Sequence, residues 1–315
     1  MEVRAGNSLY SGSAEGGAAG PGAWKEFMQY EVVETVEQAV ELLRAEGSQA
    51  FPLAGGTDLL AQIRSGRIAP GRVVDLKKIP ELREIVVDDE GYQIGAAVTG
   101  AELGEHPSLS SDWPGVVEAA ELIGSAQIQG RASLGGNLCN ASPAADSVPA
   151  LIAAGAVCSL AGPDGRREVA VEQVVIGPGE TCLGPGEIVA HFRLPRPAPG
   201  SGDAYLRLIP RSEMDIAVVG AGVALALDEE GVCRECRLAL GAVAATPLLV
   251  PAAGEILVGS RLEESALNDF AAAASGAAQP IDDMRGTRAY RIRVAGVLAR
   301  RAALIAAARA GGTSP

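Results

Sequence analysis

The sequence predicts an α+β fold of about two domains, on three observations. Short apolar runs ended by Gly, Pro and Asp fill the middle of the chain. Hairpin turns stand at Gly162-Pro163-Asp164-Gly165 and Asp228-Glu229-Glu230-Gly231. Helical patterns gather mainly at the two ends, without the regular strand–helix alternation of a Rossmann sheet.

In chain order, residues 1–23 form a Gly/Ser/Ala segment with little to bury, expected to be a disordered arm. Order should begin near Trp24. Thr35 and Gln38 form a capping-box pair ahead of Ala39, Val40, Leu42 and Leu43, and Gly47 stops that helix. Ala50 to Ala54 is a strand running into Gly55-Gly56, and Leu59 to Ser65 is a short helix. Val73 to Leu76, Ile85 to Val87 and Tyr92 to Ile94 are strands, and Val116 to Ile123 has helical spacing. Ser142-Pro143 with Asp146 carries the signature of a helix start: a Ser cap, Pro at the first position and an acid in the first turn. The first hairpin joins Ala156–Leu160 to Glu168–Val171. The segment Pro195 to Gly202 reads as a linker between a domain at 24–195 and one at 203–310. The second hairpin joins Ile216–Leu227 to Val232–Leu240. Helices at Glu263–Ala277 and Arg288–Ala308 complete the chain.

Composition excludes several classes of function. The 315 residues carry a net charge of −13, opposite to the basic footprint of a nucleic-acid binder. No apolar stretch reaches the roughly 20 residues of a membrane helix. Five Cys without a secretory leader suggest reduced thiols and a cytoplasmic setting. With only two His, a His-rich metal site or a Ser/His/Asp constellation is not expected, and no metal or catalytic residue is assigned. Cys233 and Cys236 have the spacing of a metal or redox pair. In a strand, however, residues three apart face opposite sides, which favours a structural role unless a bulge intervenes. Cys139 reads as a small packed side chain, and the Arg-rich terminal helix as a solvated face.

The chemistry concentrates in two glycine-rich loops, Pro52-Leu53-Ala54-Gly55-Gly56-Thr57-Asp58-Leu59 and Ser133-Leu134-Gly135-Gly136-Asn137. A glycine pair at a turn lets backbone N–H groups reach a ligand, and successive N–H groups form a nest for phosphate oxygens. A following helix start adds partial positive charge. Neither loop has the Lys of a nucleotide-hydrolysing P-loop, and neither fits G-x-G-x-x-G. A single loop of this kind is more often a plain turn; two, flanked by small polar donors, favour a diphosphate ligand.

Ala54 to Asp58, Ser133 to Asn137 and Ala141 to Asp146 together resemble the FAD-binding subunit of the molybdenum hydroxylases. These include the xanthine dehydrogenase flavin subunit and the carbon monoxide dehydrogenase medium subunit. The likeness continues in order through Arg211 to Ala217, Gly241 to Pro247 and Asp283 to Arg291. Thr57-Asp58 looks closer to the xanthine dehydrogenase branch. The resemblance implies two N-terminal α+β subdomains forming an FAD-binding domain, then a C-terminal domain of antiparallel sheet plus helices. By position it implies that Pro52 to Leu59 and Ser133 to Asn137 wrap the diphosphate and ribityl chain. Asp146 would serve the adenosine side, Ile123 would give an apolar contact, and Val189 and Arg207 would lie on the flavin side. Tyr205 would lie near the ring. Arg207 stands where the family often has Lys. The implied partners are a molybdopterin large subunit and a [2Fe–2S] small subunit, with electrons passing to FAD and on to NAD⁺ or another acceptor. Two rivals come from other classes. A self-contained FAD oxidase would be reduced by a small molecule in isolation, and a cofactor-free scaffold would be colourless.

Overall fold

The computed structural model describes residues 28–311, so the predicted arm at 1–23 and the start near Trp24 lie outside the described residues. The first subdomain runs β1 (Gln29–Val32), α1 (Val36–Glu46), β2 (Ala50–Leu53), α2 (Leu59–Arg64) and β3 (Arg72–Asp75). Its sheet is wholly parallel, in the order β1-β3-β2. This corner of the molecule is therefore a small βαβαβ unit. Its strands are four residues long, too short for the alternation to be read from sequence. Helix α1 begins as expected, with Thr35 Oγ1 accepting from Gln38 N at 3.2 Å. The return bond differs: Gln38 Oε1 accepts from Glu34 N, one residue before the cap. Val36, Ala39, Val40 and Leu43 recur on one face of α1. They bury against Val74 of this sheet and Ala161, Ile188 and Ala190 of the next.

The second subdomain contains β4 (Ile85–Asp88), β5 (Gly91–Gly95), α3 (Gly100–Gly104), α4 (Pro107–Asp112), α5 (Pro114–Glu121), α6 (Ala126–Gln129), α7 (Leu134–Cys139) and α8 (Ser147–Ala153). It continues with β6 (Val157–Gly162), β7 (Gly165–Ala170), β8 (Val175–Gly177), β9 (Glu180–Thr181) and β10 (Ile188–Pro195). Five of these strands form an antiparallel sheet ordered β4-β5-β10-β6-β7. The hairpin between β6 and β7 closes at Gly162 and Gly165, the latter at φ +108°. Ile94, Phe192 and Leu160 from the sheet and Leu138, Leu151 and Ile152 from the helices are fully buried in one core.

The remainder is β11 (Ser201–Leu208), β12 (Val219–Leu227), β13 (Cys233–Gly241), β14 (Leu248–Leu249), α9 (Pro251–Leu257), α10 (Glu264–Ala277) and α11 (Arg288–Ala310). The four strands are antiparallel in chain order. Helices α9 to α11 share a core with this sheet, while α8 packs on β12 and β13 as well as on its own subdomain. The approach of α8 is close: a Cβ at Gly222 would lie 2.6 Å from the Pro149 carbonyl oxygen.

Several expectations change. Strand β12 starts at Val219 instead of Ile216, because the chain before it forms a loop whose Met214 N–H reaches Gly124 O at 3.4 Å. A bulge does intervene in β13: Cys233 pairs with Leu227 and Glu235 with Ala226, so Arg234 is the extra residue. Cys233 and Cys236 consequently both enter the C-terminal core, where burial pushes both thiols up. They are structural, by a different geometry from the one alternation suggests. Cys139, expected to be packed, is exposed. Helix α11 is not a simple solvated face. Arg291 is buried, donating to Val218 O at 2.7 Å and Ala242 O at 3.1 Å while pairing with Asp283 at 2.7 Å. No helix among the described residues is long and apolar enough to cross a membrane.

Candidate cofactor cleft

A cleft of about 710 Å³ opens between the first two subdomains. That size suits a small ligand or cofactor. One wall is the turn between β2 and α2. Pairing with β3 fixes β2, the chain then turns at Gly56 with φ +78°, and α2 starts at Leu59. The backbone N–H groups of Gly55, Gly56, Thr57 and Asp58 find no acceptor among the described residues, yet all four residues line the cleft. Consecutive free donors at a helix start are chemically suited to an anion.

The facing wall is α7. The second glycine-rich stretch is not a loop: Ser133 caps α7 by accepting from Gly136 N at 3.2 Å, and both glycines lie in its first turn. The glycines divide their tasks. A Cβ at Gly55 would stand 1.9 Å from Arg131 O, and one at Gly135 would stand 2.5 Å from Ala96 O. These two permit close backbone packing. Gly136 is exposed, and a Cβ there would meet only Ser133 Oγ within 4 Å, at 3.3 Å. Asn137, also on the wall, accepts from Ser147 N and Ser147 Oγ through Oδ1. Its amide NH₂ is left as a donor.

Of the residues expected from sequence, Pro52 to Leu59, Ile123, Ser133, Gly135, Gly136, Asn137 and Val189 all line this one cleft. Four do not. Leu134 is buried in the core beneath α7. Asp146, Tyr205 and Arg207 meet at the seam between α8 and β11: Tyr205 Oη donates to Asp146 Oδ1 at 2.9 Å, and Arg207 Nη1 donates to Asp146 Oδ2 at 2.6 Å. The side chains of Arg207 and Asp146 are 6% and 10% exposed. Burial pushes the Asp146 carboxyl up, against the opposing pull of Arg207 and Tyr205. The helix expected to start at Pro143 starts at Ser147 instead. Ser142 closes a tight turn, with Ala145 N bonded to its carbonyl, and Asp146 becomes the residue ahead of the helix.

Sequence reasoning missed Gln62, Arg67, Asn140, Gly179, Thr181 and Glu187, which also line the cleft. Pro178-Gly179 is a turn signal that could have been followed, but nothing local marks the others. Glu187 is held by Arg167 in two bonds of 2.8 and 2.7 Å and by Gly184 N. Arg167 chiefly holds its carboxyl below the usual range. Asp58 has no such partner among the described residues, and burial pushes its carboxyl up. Free backbone donors, an oriented amide and small side chains fit the diphosphate and polyol chain of a dinucleotide. An apolar contact at Ile123 and Val189 suits its ring systems.

These features describe a flavin-binding protein with its cleft between two small α+β subdomains. Residues 25–197 match the family model for the FAD binding domain in molybdopterin dehydrogenase, and residues 204–306 match the CO dehydrogenase flavoprotein C-terminal domain. The chain belongs to this family of FAD-binding subunits of molybdenum hydroxylases. It is 35% identical to the carbon monoxide dehydrogenase medium chain of Afipia carboxidovorans, over 89% of this chain and 97% of that one. It is 31% identical to a putative xanthine dehydrogenase FAD-binding subunit of Escherichia coli, over 91% and 98%. A solved chain of Cu,Mo-CO dehydrogenase superposes with a TM-score of 0.86 at 35% identity, covering 90% of this chain and 98% of that one. Both branches are thus represented among its relatives.

Proposed function

We propose that the chain carries FAD in this cleft as the electron-transfer subunit of a molybdenum hydroxylase complex. The observation that carries the reading is the run of four free N–H groups at Gly55 to Asp58, facing the capped start of α7. The Asn137 amide extends that donor surface, Gly136 leaves the wall beside it without a side chain, and Ile123 and Val189 supply apolar walls. Asp146, Tyr205 and Arg207 act from behind the wall: they fix the start of α8, and Ser147 on α8 orients Asn137. When bound, FAD supplies the redox chemistry, and the protein supplies position and electrostatics. No general base is required of this chain.

The partners in this reading are a molybdopterin large subunit and a [2Fe–2S] small subunit, with NAD⁺ or another acceptor taking the electrons. Thr57-Asp58 after the glycine pair supports a xanthine dehydrogenase-like complex. The five free thiols support a reducing, cytoplasmic setting. The test is an absorption spectrum of the purified chain, with chromatography of the flavin released by acid. Near-stoichiometric FAD without iron or molybdenum is expected. A colourless chain that refuses added FAD would overturn the reading, and flavin reduction by a small substrate alone would favour a self-contained oxidase.

A further inference from the structure

Three charged residues line the cleft, and their partners differ. Glu187 is neutralised by Arg167, which holds both its oxygens. Among the described residues neither Asp58 nor Arg67 has an ion pair. The guanidinium of Arg67 makes no side-chain hydrogen bond or salt bridge among the described residues, although most arginines of this acidic chain are engaged by carboxylates or carbonyls. Arg67 lies in the turn after α2, anchored by its own N–H to Gln62 O at 3.0 Å. Helix α2 thus stands between the free N–H groups at its start and a free cation just past its end.

We infer that Arg67 is the counter-charge for the diphosphate of the bound dinucleotide. This rests on the proposed FAD site and deepens it. Backbone N–H groups supply only partial charges, and the local field includes Asp58 and an overall charge of −13. A dianionic group placed there gains from one full positive charge that has no other partner. Arg67 is exposed, and its side chain has no hydrogen bond or ion pair among the described residues to give up when it turns to a ligand.

The test measures dissociation constants of FAD and of riboflavin for the full-length deflavinated chain, in wild type, Arg67→Ala and Arg67→Lys. Arg67→Ala should weaken FAD by about 10- to 50-fold, the range of one charge-assisted contact, and leave riboflavin, which has no phosphate, within about 2-fold. The Lys variant should recover most of the loss, and raising salt should weaken FAD more in wild type than in Arg67→Ala. Equal thermal midpoints would show that the surface substitution leaves the fold intact. A wild type that binds FAD with an unchanged Arg67→Ala overturns this inference alone. Equal loss for FAD and riboflavin also overturns it, by removing the phosphate from the effect. A wild type that binds no FAD overturns the cofactor site as well.

Discussion

Asn137 Oδ1 accepts two hydrogen bonds from Ser147, at 3.2 Å from the backbone N–H and 2.7 Å from the hydroxyl. With its oxygen occupied, the amide has one polar end left for the cleft, and that end donates. Ser147→Ala should release the amide and weaken FAD by about 3- to 10-fold, the worth of one neutral hydrogen bond. Asn137→Asp places a carboxylate on the wall and should weaken it further. Titration of the deflavinated chain checks both, and two unchanged affinities would remove Asn137 from the site.

The glycines predict opposite outcomes at neighbouring positions. Gly55→Ala drives a Cβ into Arg131 O, and Gly135→Ala drives one into Ala96 O and the Ala96 side chain. Each should cost about 1–3 kcal/mol of stability, as overpacking does. Any loss of FAD in these variants would follow from the damaged fold. Gly136→Ala should be neutral or stabilising by up to about 1 kcal/mol, since Ala favours helix. It should nonetheless retain less FAD, because its Cβ projects from the exposed cleft wall, past Ser133 Oγ at 3.3 Å. Denaturant melts and flavin content, measured together, separate the two cases.

Breaking the buried pair at the α8–β11 seam should be costly. Arg207→Met leaves the Asp146 carboxylate buried with only Tyr205, a change expected to cost about 3–5 kcal/mol. The double variant with Asp146→Asn should recover much of it. Recovery in a double-mutant cycle is the measurement, and strict additivity would mean that the two side chains do not depend on each other.

Asp203 gives a pH dependence. Its buried carboxyl accepts from Gly115 N and Val116 N at 3.0 and 3.1 Å, and burial pushes its pKa up to about 7. Between the unfolded value near 4 and about 7, the folded chain binds a proton that the unfolded chain releases. This group's contribution to stability therefore falls as pH rises through that window and levels off above it. The contribution is of the order of 2–4 kcal/mol. Subtracting the pH profile of Asp203→Asn from that of wild type should isolate this downward slope, and parallel profiles would contradict it.

Cys236→Ser should cost about 1–2 kcal/mol, because its hydroxyl enters an apolar core, and Cys233→Ser less, because Glu235 O, which accepts from the Cys233 thiol at 3.3 Å, can take the hydroxyl proton. Strand alternation alone would put one of them on a solvent face, where the exchange is nearly neutral. The bulge at Arg234 makes the difference, and urea midpoints of the two variants measure it.

The longer helices, the hairpin turns, the Thr35 cap and the two glycine pairs with their small polar neighbours were legible in the sequence alone, whereas the short helices α3, α4, α6 and α7 were not. The former depend on residues within a few positions of one another, where period and turn chemistry are legible. The sequence also carried the family, because the motifs run in order along nearly the whole chain. Which glycine faces the cleft and which packs on backbone follows from the packed fold, since Arg131 O and Ala96 O come from distant segments. The same holds for Asp146, which sits 59 and 61 residues from the side chains that hold it. Arg67 shows the same limit. Nothing near it in the chain distinguishes it from a solvated arginine. Its position on the cleft wall exists only once α2 has packed through Ile63 on Leu53 of β2 and Val73 of β3.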